Sequence, residues 1–478
     1  MTQTAVSKAL IADLTASLGA DRILTSADVL NSRRYDRWAL SWLKDWLGEP
    51  MATPAAVVRP RTVEEVQAIV VAANASGTAL IPFGLGSGVC GGVLPTPDAI
   101  LLDLSELNRV RFIDETNLLA SFDAGKNGLE AEQAVAAHGL TIGHWPQSIA
   151  ISSVGGWVST RASGQFSTAY GNIEDIIYAI EAVLPDGRLV TLGKAPRAAA
   201  GPDLRHILMG AEGTMGVVTG VTLSLRRSPE RQAYSAFHAK DMDAGFEAQR
   251  QIVQADWRPP VMRQYDSREA KRNFRDFARG DDALLLMVHE GPAARVEVEL
   301  AETAKIAQSA GLEPADPKAC QDWLGHRNNT PAWTDLFERG LVVDTIEISA
   351  PWTTIGAIYT DAVAALNTIP GMINASGHSS HVYRTGLNLY FSFAVAPGDK
   401  EAMEAAYLDS WRKVMEATAA RGGGIAHHHG AGRLRKDFLH HDLGDTGLSL
   451  LRDLKRAVDP KGIMNPGNLI PDAKVPDV

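Results

Sequence analysis

Cysteine is nearly missing from this chain: there are 2 in 478 residues, Cys90 and Cys320, set too far apart for a CxxC or zinc spacing. That excludes a disulfide framework and fits a reducing compartment, so a cytoplasmic protein is expected. Basic residues are in deficit: 46 Lys and Arg stand against 56 Asp and Glu, a net charge of −10. No general affinity for nucleic acid or anionic membrane follows from that balance. Long apolar runs are lacking too. No window approaches the about 18 uninterrupted apolar residues of a membrane span. The opening stretch MTQTAVSKALIADLTASLGADR reads as an amphipathic helix without the apolar core of a signal peptide. The closing KVPDV matches no receptor-read address.

What is present is ordinary globular composition, 45% hydrophobic and 21% charged, in a chain long enough for two or three packed units. Residues 1–54 read as a helical N-terminal segment. From 55 to 228 the pattern is that of a compact α+β unit. AAVVRP is a short strand closed by proline, and RTVEEVQAIVVAANASG a helix with Thr62 and Glu65 as a capping box, Val63, Val66, Ile69 and Val70 on one face, and Gly77 at its stop. TALIP returns as a strand into a glycine loop, and EAVLPDGRLVTL is a hairpin turning at Asp186-Gly187. Residues 229–420 carry longer helical stretches between short strands such as ALLLMVHEG and LNLYFSFAV, which predicts an α/β cap with an antiparallel sheet backed by helices. Residues 421–478 hold a histidine run and a tail, AVDPKGIMNPGNLI, whose Pro and Gly suggest a return onto the α+β unit.

Three segments concentrate small residues. Gly84-Leu85-Gly86-Ser87-Gly88 follows a strand, and the N–H groups of such a loop can cradle a phosphate. The loop is neither a Rossmann turn, since Val89 stands where a third glycine belongs, nor a Walker loop, which needs GK followed by Ser or Thr. SSVGGWVSTRASGQFSTAYGNIED and MGAEGTMGVVTG repeat the small-residue composition further on. Together they suggest backbone closing around a large, flat, phosphate-bearing ligand; many tight turns would give the same composition, and the chain has 43 glycines.

GGGIAHHHGAG, residues 422–432, poses a separate question. Its internal position excludes a purification tag. A metal site, a cluster of proton carriers and a histidine-rich turn are the remaining readings. Consecutive residues of an extended chain point to opposite faces, which argues against three imidazoles on one ion, and no metal is expected.

Pro82, Gly84, Gly86 and Ser87, then Ser153-Val154-Gly155-Gly156, then Gly210, Glu212-Gly213-Thr214, Gly216 and Val217 resemble the FAD-binding signature of the vanillyl-alcohol oxidase / p-cresol methylhydroxylase superfamily. Within it VGGWVSTRASG, YGNIED, SAPW and AHHHGAGRLRK are most similar to alkylglycerone-phosphate synthase and its bacterial relatives, over roughly residues 50 to 470. The resemblance implies a two-part FAD-binding domain of the p-cresol methylhydroxylase type, α+β in class, with a cap domain over it, in a homodimer. Pyrophosphate would lie on Gly84, Leu85, Gly86, Ser87 and Gly88 beside Pro82. Ser153 to Gly156, Ser159, Ser163, Glu212, Gly213, Gly216 and Val217 would hold the rest of the cofactor. Cys90 and His144 are the nearby candidates for covalent attachment; neither sits in a known attachment sequence, so the FAD is expected to be non-covalent.

The resemblance assigns Tyr383 as an acid/base group, His427, His428 and His429 as proton carriers, and Arg263 as an arginine near the flavin. A phenol titrates near ~10, so Tyr383 could take an alcohol proton only if neighbouring positive charge lowers that value. His381 resembles the first metal histidine of related D-2-hydroxyacid dehydrogenases, but Tyr390 and His428 stand where their other ligands would be; it is assigned to the substrate instead. Where the synthases carry a substrate-binding arginine this chain has Thr334, and Arg327 is the cation that could replace it. The expected activity is FAD-dependent oxidation of a C–OH group in a small hydroxy substrate, with oxygen, a quinone or an electron-transfer protein as acceptor. The alternative is a redox-neutral transferase acting on acyl-dihydroxyacetone phosphate and a fatty alcohol. A flavin-storing binding protein is a third reading, which predicts no loss of function in Tyr383→Phe.

Overall fold

The computed structural model describes residues 5–329 and 332–471, so KVPDV and the first four residues of the opening stretch lie outside the described residues. No helix among those described is long and apolar enough to cross a membrane. Helix and strand are mixed throughout, as the α+β reading expects.

The N-terminal half is built on two sheets. In the first, Ala56–Val58, Ile100–Asp103 and Leu80–Phe83 run parallel, with Ile23–Leu24 added antiparallel at the edge. Helix Val63–Ser76 backs it, burying Val66, Ile69 and Val70; Val63 lies at the margin. The helix starts on the Thr62 hydroxyl, which accepts from the Glu65 N–H at 3.2 Å, and stops at Gly77 with φ +71. The expected capping box is only half made, because the Glu65 carboxylate turns to the Arg61 N–H at 2.6 Å and to Arg22. The second sheet is antiparallel, in the order Val110–Asp114, Leu119–Asp123, Val217–Ser224, Ile177–Val183, Leu189–Leu192. Its last two strands are the predicted hairpin, with Gly187 at φ +88 in the turn.

The cap carries one eight-stranded antiparallel sheet whose centre is Ala283–Gly291, Val261–Tyr265, Met372–Ser379 and Gly386–Val395, closed at one edge by Val342–Pro351. Helices Met242–Gln254, Ala293–Ser309, Ile355–Leu366 and Met403–Ala420 back it. The first 54 residues divide between the two halves. Leu10 and Leu14 of helix Ala5–Leu18 pack into the core under the parallel sheet, whereas Trp38, Leu40 and Leu43 join the cap core. The C-terminal tail returns as its Pro and Gly suggest. Leu80 donates to Ile463 O at 2.8 Å and accepts from the Asn465 N–H at 2.9 Å, which extends the parallel sheet by one bridge.

Candidate active site

A cleft of about 900 Å³ runs between the two halves, at the upper end of the roughly 300–1,000 Å³ usual for ligand sites. Its floor is the loop Gly84–Gly88, with Pro82 beside it. The N–H groups of Leu85, Gly86, Ser87 and Gly88 have no protein acceptor among the described residues, as a loop that offers them to an anion requires. Opposite lies Val154–Thr160, a short helix; the Ser153 hydroxyl caps it by accepting from the Gly156 N–H at 3.2 Å. A Cβ on Gly84 would sit 2.3 Å from Ser153 Oγ, so only glycine lets loop and helix approach this closely. Gly155, Gly156, Ser159, Ser163, Gly213 and Gly216 complete the wall.

Three expected cofactor contacts differ. Val154 and Val217 are fully buried in the cores behind the cleft and do not line it. Glu212, at φ +48, reaches the cleft, but its carboxylate is engaged elsewhere. It accepts from the N–H groups of Ala431 at 2.8 Å and Gly432 at 3.0 Å, clamping the C-terminal segment to the N-terminal half. Neither Cys90 nor His144 lines the cleft. Cys90 is buried with its thiol pushed up, and its carbonyl accepts from Arg433 and Leu434. His144 is buried against Trp157, with neither ring nitrogen hydrogen-bonded.

On the cap side the cleft is lined by Arg263, Arg327, His378, His381, Tyr390, His428 and His429. Arg263 donates to Tyr265 Oη at 3.0 Å and lies over Trp323; Arg327 donates to Gln165 at 2.5 Å among Trp145, Phe166 and Trp323. Neither arginine is paired with a carboxylate among the described residues. Burial, followed by the nearness of Arg263, draws Arg327 down to about 10. Thr334 is exposed on the helix Trp333–Glu338 and does not line the cleft, so the residue in the place of the synthase arginine has no contact here to lose.

The histidine run is held by the cap's edge strand. Gly424 pairs with Ser349, and beyond it the N–H groups of His427, His428 and His429 converge on Glu347 Oε1 at 3.4, 3.4 and 3.0 Å. Glu347 in turn forms a two-pronged ion pair with Arg435, both side chains fully buried, and the guanidinium holds the carboxyl well below its usual range despite burial. Glu347 pairs across the sheet with Tyr390, which pairs with His378 on its other side. From sequence no role is assigned to Glu347 or Arg435, and Tyr390 is noted only as the residue standing where related dehydrogenases have a metal ligand.

Because the run curls around a carboxylate, its imidazoles do not alternate as they would on an extended strand. His427 Nδ1 and His428 Nδ1 lie 2.7 Å apart, His427 Nε2 is 2.6 Å from Tyr383 Oη, and His428 Nε2 is 2.5 Å from Tyr390 Oη. His429 Nδ1 lies 3.0 Å from Glu347, within ion-pair reach but not aligned as a hydrogen bond. His381 Nδ1 meets Ser167 Oγ at 2.6 Å. Ligand atoms of His381, His427 and His428 fall within 4.8 Å of one another, a spacing that would admit a cation, yet both nitrogens of His427 and of His428 are engaged in hydrogen bonds.

His427 and His428 do not supply the positive charge expected beside Tyr383. Burial lowers His427 to about 4 and His428 well below its ordinary value, so both are neutral near pH 7. Burial likewise raises Tyr383, with Glu174 and Asp175 adding to it. His427 and His428 are thus neutral groups suited to handing on a proton beside a phenol that keeps its own.

The comparisons with known proteins agree with this layout. The family described as FAD binding domain matches residues 54–193, and FAD linked oxidases, C-terminal domain, matches residues 228–469. The uncharacterized FAD-linked oxidoreductase YgcU of Escherichia coli is 33% identical over 98% of this chain and 100% of its own length. The alkyldihydroxyacetonephosphate synthase of Dictyostelium discoideum is 28% identical over 90% of this chain and 75% of its own. A solved alkyldihydroxyacetonephosphate synthase superposes with a TM-score of 0.81 at 23% identity, covering 96% of this chain and 84% of that one.

Proposed function

The chain belongs to the family of FAD-linked oxidoreductases, and from that premise we propose that it oxidises the C–OH group of a small anionic hydroxy compound. The observation that carries this reading is the pair of arginines without carboxylate partners, Arg263 and Arg327, in the same cleft as the unsatisfied loop Leu85–Gly88. The loop and the glycine wall would hold FAD, without a covalent bond because neither Cys90 nor His144 reaches the cleft. When bound, FAD supplies the two-electron acceptor that the side chains lack.

The protein's own part is binding, orientation and proton handling. Arg327 has a guanidinium whose planar fork suits a carboxylate or a phosphate, and its aromatic surround leaves it dry enough for the contact to count. Arg263 lies across Trp323 from it and would bind a second oxyanion. His381, His428 and Tyr390 face the same space and would receive the hydroxyl proton, with His427 and Tyr383 behind them.

The test is the visible spectrum of the purified protein, recorded without oxygen, before and after adding 2-hydroxy acids, aryl alcohols, sugars and acyl-dihydroxyacetone phosphate. Bleaching of the flavin band by an acidic hydroxy compound, and not by neutral alcohols, is the expected result. A protein that neither carries nor takes up FAD would refute the proposal. The second reading, a redox-neutral exchange on acyl-dihydroxyacetone phosphate, is favoured by the similarity to the Dictyostelium synthase over 90% of the chain. It requires that only the acyl phosphate perturb the band, with no electrons delivered to any acceptor during turnover.

A further inference from the structure

Behind the histidine run lies a second cavity of about 650 Å³, lined by Tyr383, His427, Arg161, Asn172 and Glu174. Tyr390, His428 and His429 face the large cleft instead. The run is thus a partition, with different histidines on its two sides. Through it passes an unbroken series of hydrogen bonds. Tyr390 Oη meets His428 Nε2 at 2.5 Å, His428 Nδ1 meets His427 Nδ1 at 2.7 Å, and His427 Nε2 meets Tyr383 Oη at 2.6 Å. Tyr383 then donates to Asn172 Oδ1 at 3.2 Å.

A neutral imidazole has one N–H and one lone pair, and a phenol has one proton to give. Since the Asn172 carbonyl can only accept, the direction of each link follows from the far end. Tyr383 accepts from His427 Nε2–H, His427 Nδ1 accepts from His428 Nδ1–H, and His428 Nε2 accepts from Tyr390 O–H. All four protons point from the cleft towards the second cavity. We propose that this series conducts the substrate's hydroxyl proton out of the cleft, with Tyr390 as the group that receives it and Tyr383 as the exit.

The step rests on the oxidation reading above and balances without a further reagent. The Tyr390 oxygen takes the hydroxyl proton as its own proton passes to His428. The His428 Nδ1 proton passes to His427, the His427 Nε2 proton to Tyr383, and the Tyr383 proton to water in the second cavity. One proton enters, one leaves, and each group ends neutral; the C–H electron pair leaves with its hydrogen to the acceptor of that reading. Moving the proton in this way avoids an imidazolium in a site whose burial already holds His427 at about 4. Glu347 acts as the positioning residue, because its one oxygen fixes the backbone of all three histidines.

The experiment uses the holoenzyme labelled with ¹⁵N-histidine, where the nitrogen shifts report which ring nitrogen carries the proton. Expected are a Nδ1–H tautomer for His428 and a Nε2–H tautomer for His427, with His427 Nε2 moving in Tyr383→Phe and His428 Nε2 moving in Tyr390→Phe. The opposite tautomers, or a stoichiometric metal ion in the purified holoenzyme, would overturn the proposal. A kinetic arm uses whichever hydroxy compound bleaches the wild-type flavin. Tyr390→Phe, with its FAD content unchanged, should slow bleaching by about 10²-fold, and an undiminished rate refutes the assignment. In Tyr383→Phe, an indicator dye should show proton release lagging behind bleaching; simultaneous traces also refute it. If no compound bleaches the wild type, the oxidation reading has failed, and the tautomers decide the hydrogen-bond series on their own.

Discussion

Removing the charge of Glu347 separates what holds the protein together from what holds its histidines in place. Glu347 and Arg435 are both at 0% side-chain exposure, and the pair is bidentate. Glu347→Gln keeps the shape and an acceptor oxygen but strands the guanidinium in a dry interior. Losing one partner of such a pair costs about 3–5 kcal/mol, which is a factor of roughly 10² to 10³ or more in the unfolding equilibrium. The double variant Glu347→Leu with Arg435→Met removes both charges and refills the volume, so it should be more stable than Glu347→Gln while staying below wild type, because three N–H groups lose their acceptor. It also removes the acceptor of three consecutive N–H groups, at 3.4, 3.4 and 3.0 Å, so the run loses its seat and turnover stays low. Urea unfolding followed by tryptophan fluorescence suits the test, because Trp411 lies 4.9 Å from the Arg435 guanidinium. The midpoint should fall in Glu347→Gln at unchanged slope. A loss below about 1 kcal/mol, smaller than any removal of one partner from a buried pair, would refute the reasoning, as would a double variant no more stable than the single one. Full turnover in the double variant would show that the carboxylate does not position the histidines.

Arg327→Gln should raise KM for an acidic substrate by roughly tenfold to a hundredfold, the about 1.5–3 kcal/mol of a charged hydrogen bond, with little change in kcat; steady-state kinetics against a neutral alcohol check it. His144 is buried without a partner and titrates at about 3 against an ordinary 6.5. Between those values the unfolded chain binds the proton and the folded one does not, so stability is full above pH 6.5 and falls as pH drops. The slope from this group approaches about 1.4 kcal/mol per pH unit, and His144→Phe should flatten it in urea titrations run across that range. Gly432→Ala should lower both the melting temperature and the retained FAD, measured by absorbance ratio. Its φ is +55 and a Cβ would lie 2.0 Å from the Cys90 carbonyl oxygen, so the C-terminal segment could not seat against the loop.

Local chemistry was legible in the sequence wherever one segment carried it alone. The Thr62 to Gly77 helix, the Asp186-Gly187 hairpin and the glycine loop after Phe83 each follow from residues within a few positions of one another. Residues of the three glycine segments do line one cleft. What could not be read was set by partners far away in the chain. The Glu65 carboxylate left its capping box for Arg61 and Arg22. Glu212 lines the cleft as expected of it, but its carboxylate also clamps Ala431 and Gly432, some 220 residues later, which no local pattern announces. The run is not extended, because three N–H groups wrap one carboxylate; that brings the His427 and His428 rings to 2.7 Å while His427 and His429 still face different cavities. The expected lowering of Tyr383 failed for a related reason: charge on His427 and His428 was assumed, whereas burial removes it.

The C-terminal segment joins these observations. Between Gly424 and Asn465 the chain pairs with the cap at Ser349, is clamped by Glu212 of the N-terminal half, and extends the parallel sheet at Leu80. Leu80 begins the strand that feeds the loop Gly84–Gly88, so the same return that places the histidines also braces this loop, the cradle proposed for the cofactor. Cradle and histidine run are therefore not independent sites that happen to share a cleft. Any loosening of the segment, at Gly432 or at Glu347, moves both at once, and a variant that loses proton transfer in this way should lose FAD with it. Tyr383 and Tyr390 lie on the cap outside that segment, and for this reason their phenylalanine variants can test the chemistry while leaving the cradle closed.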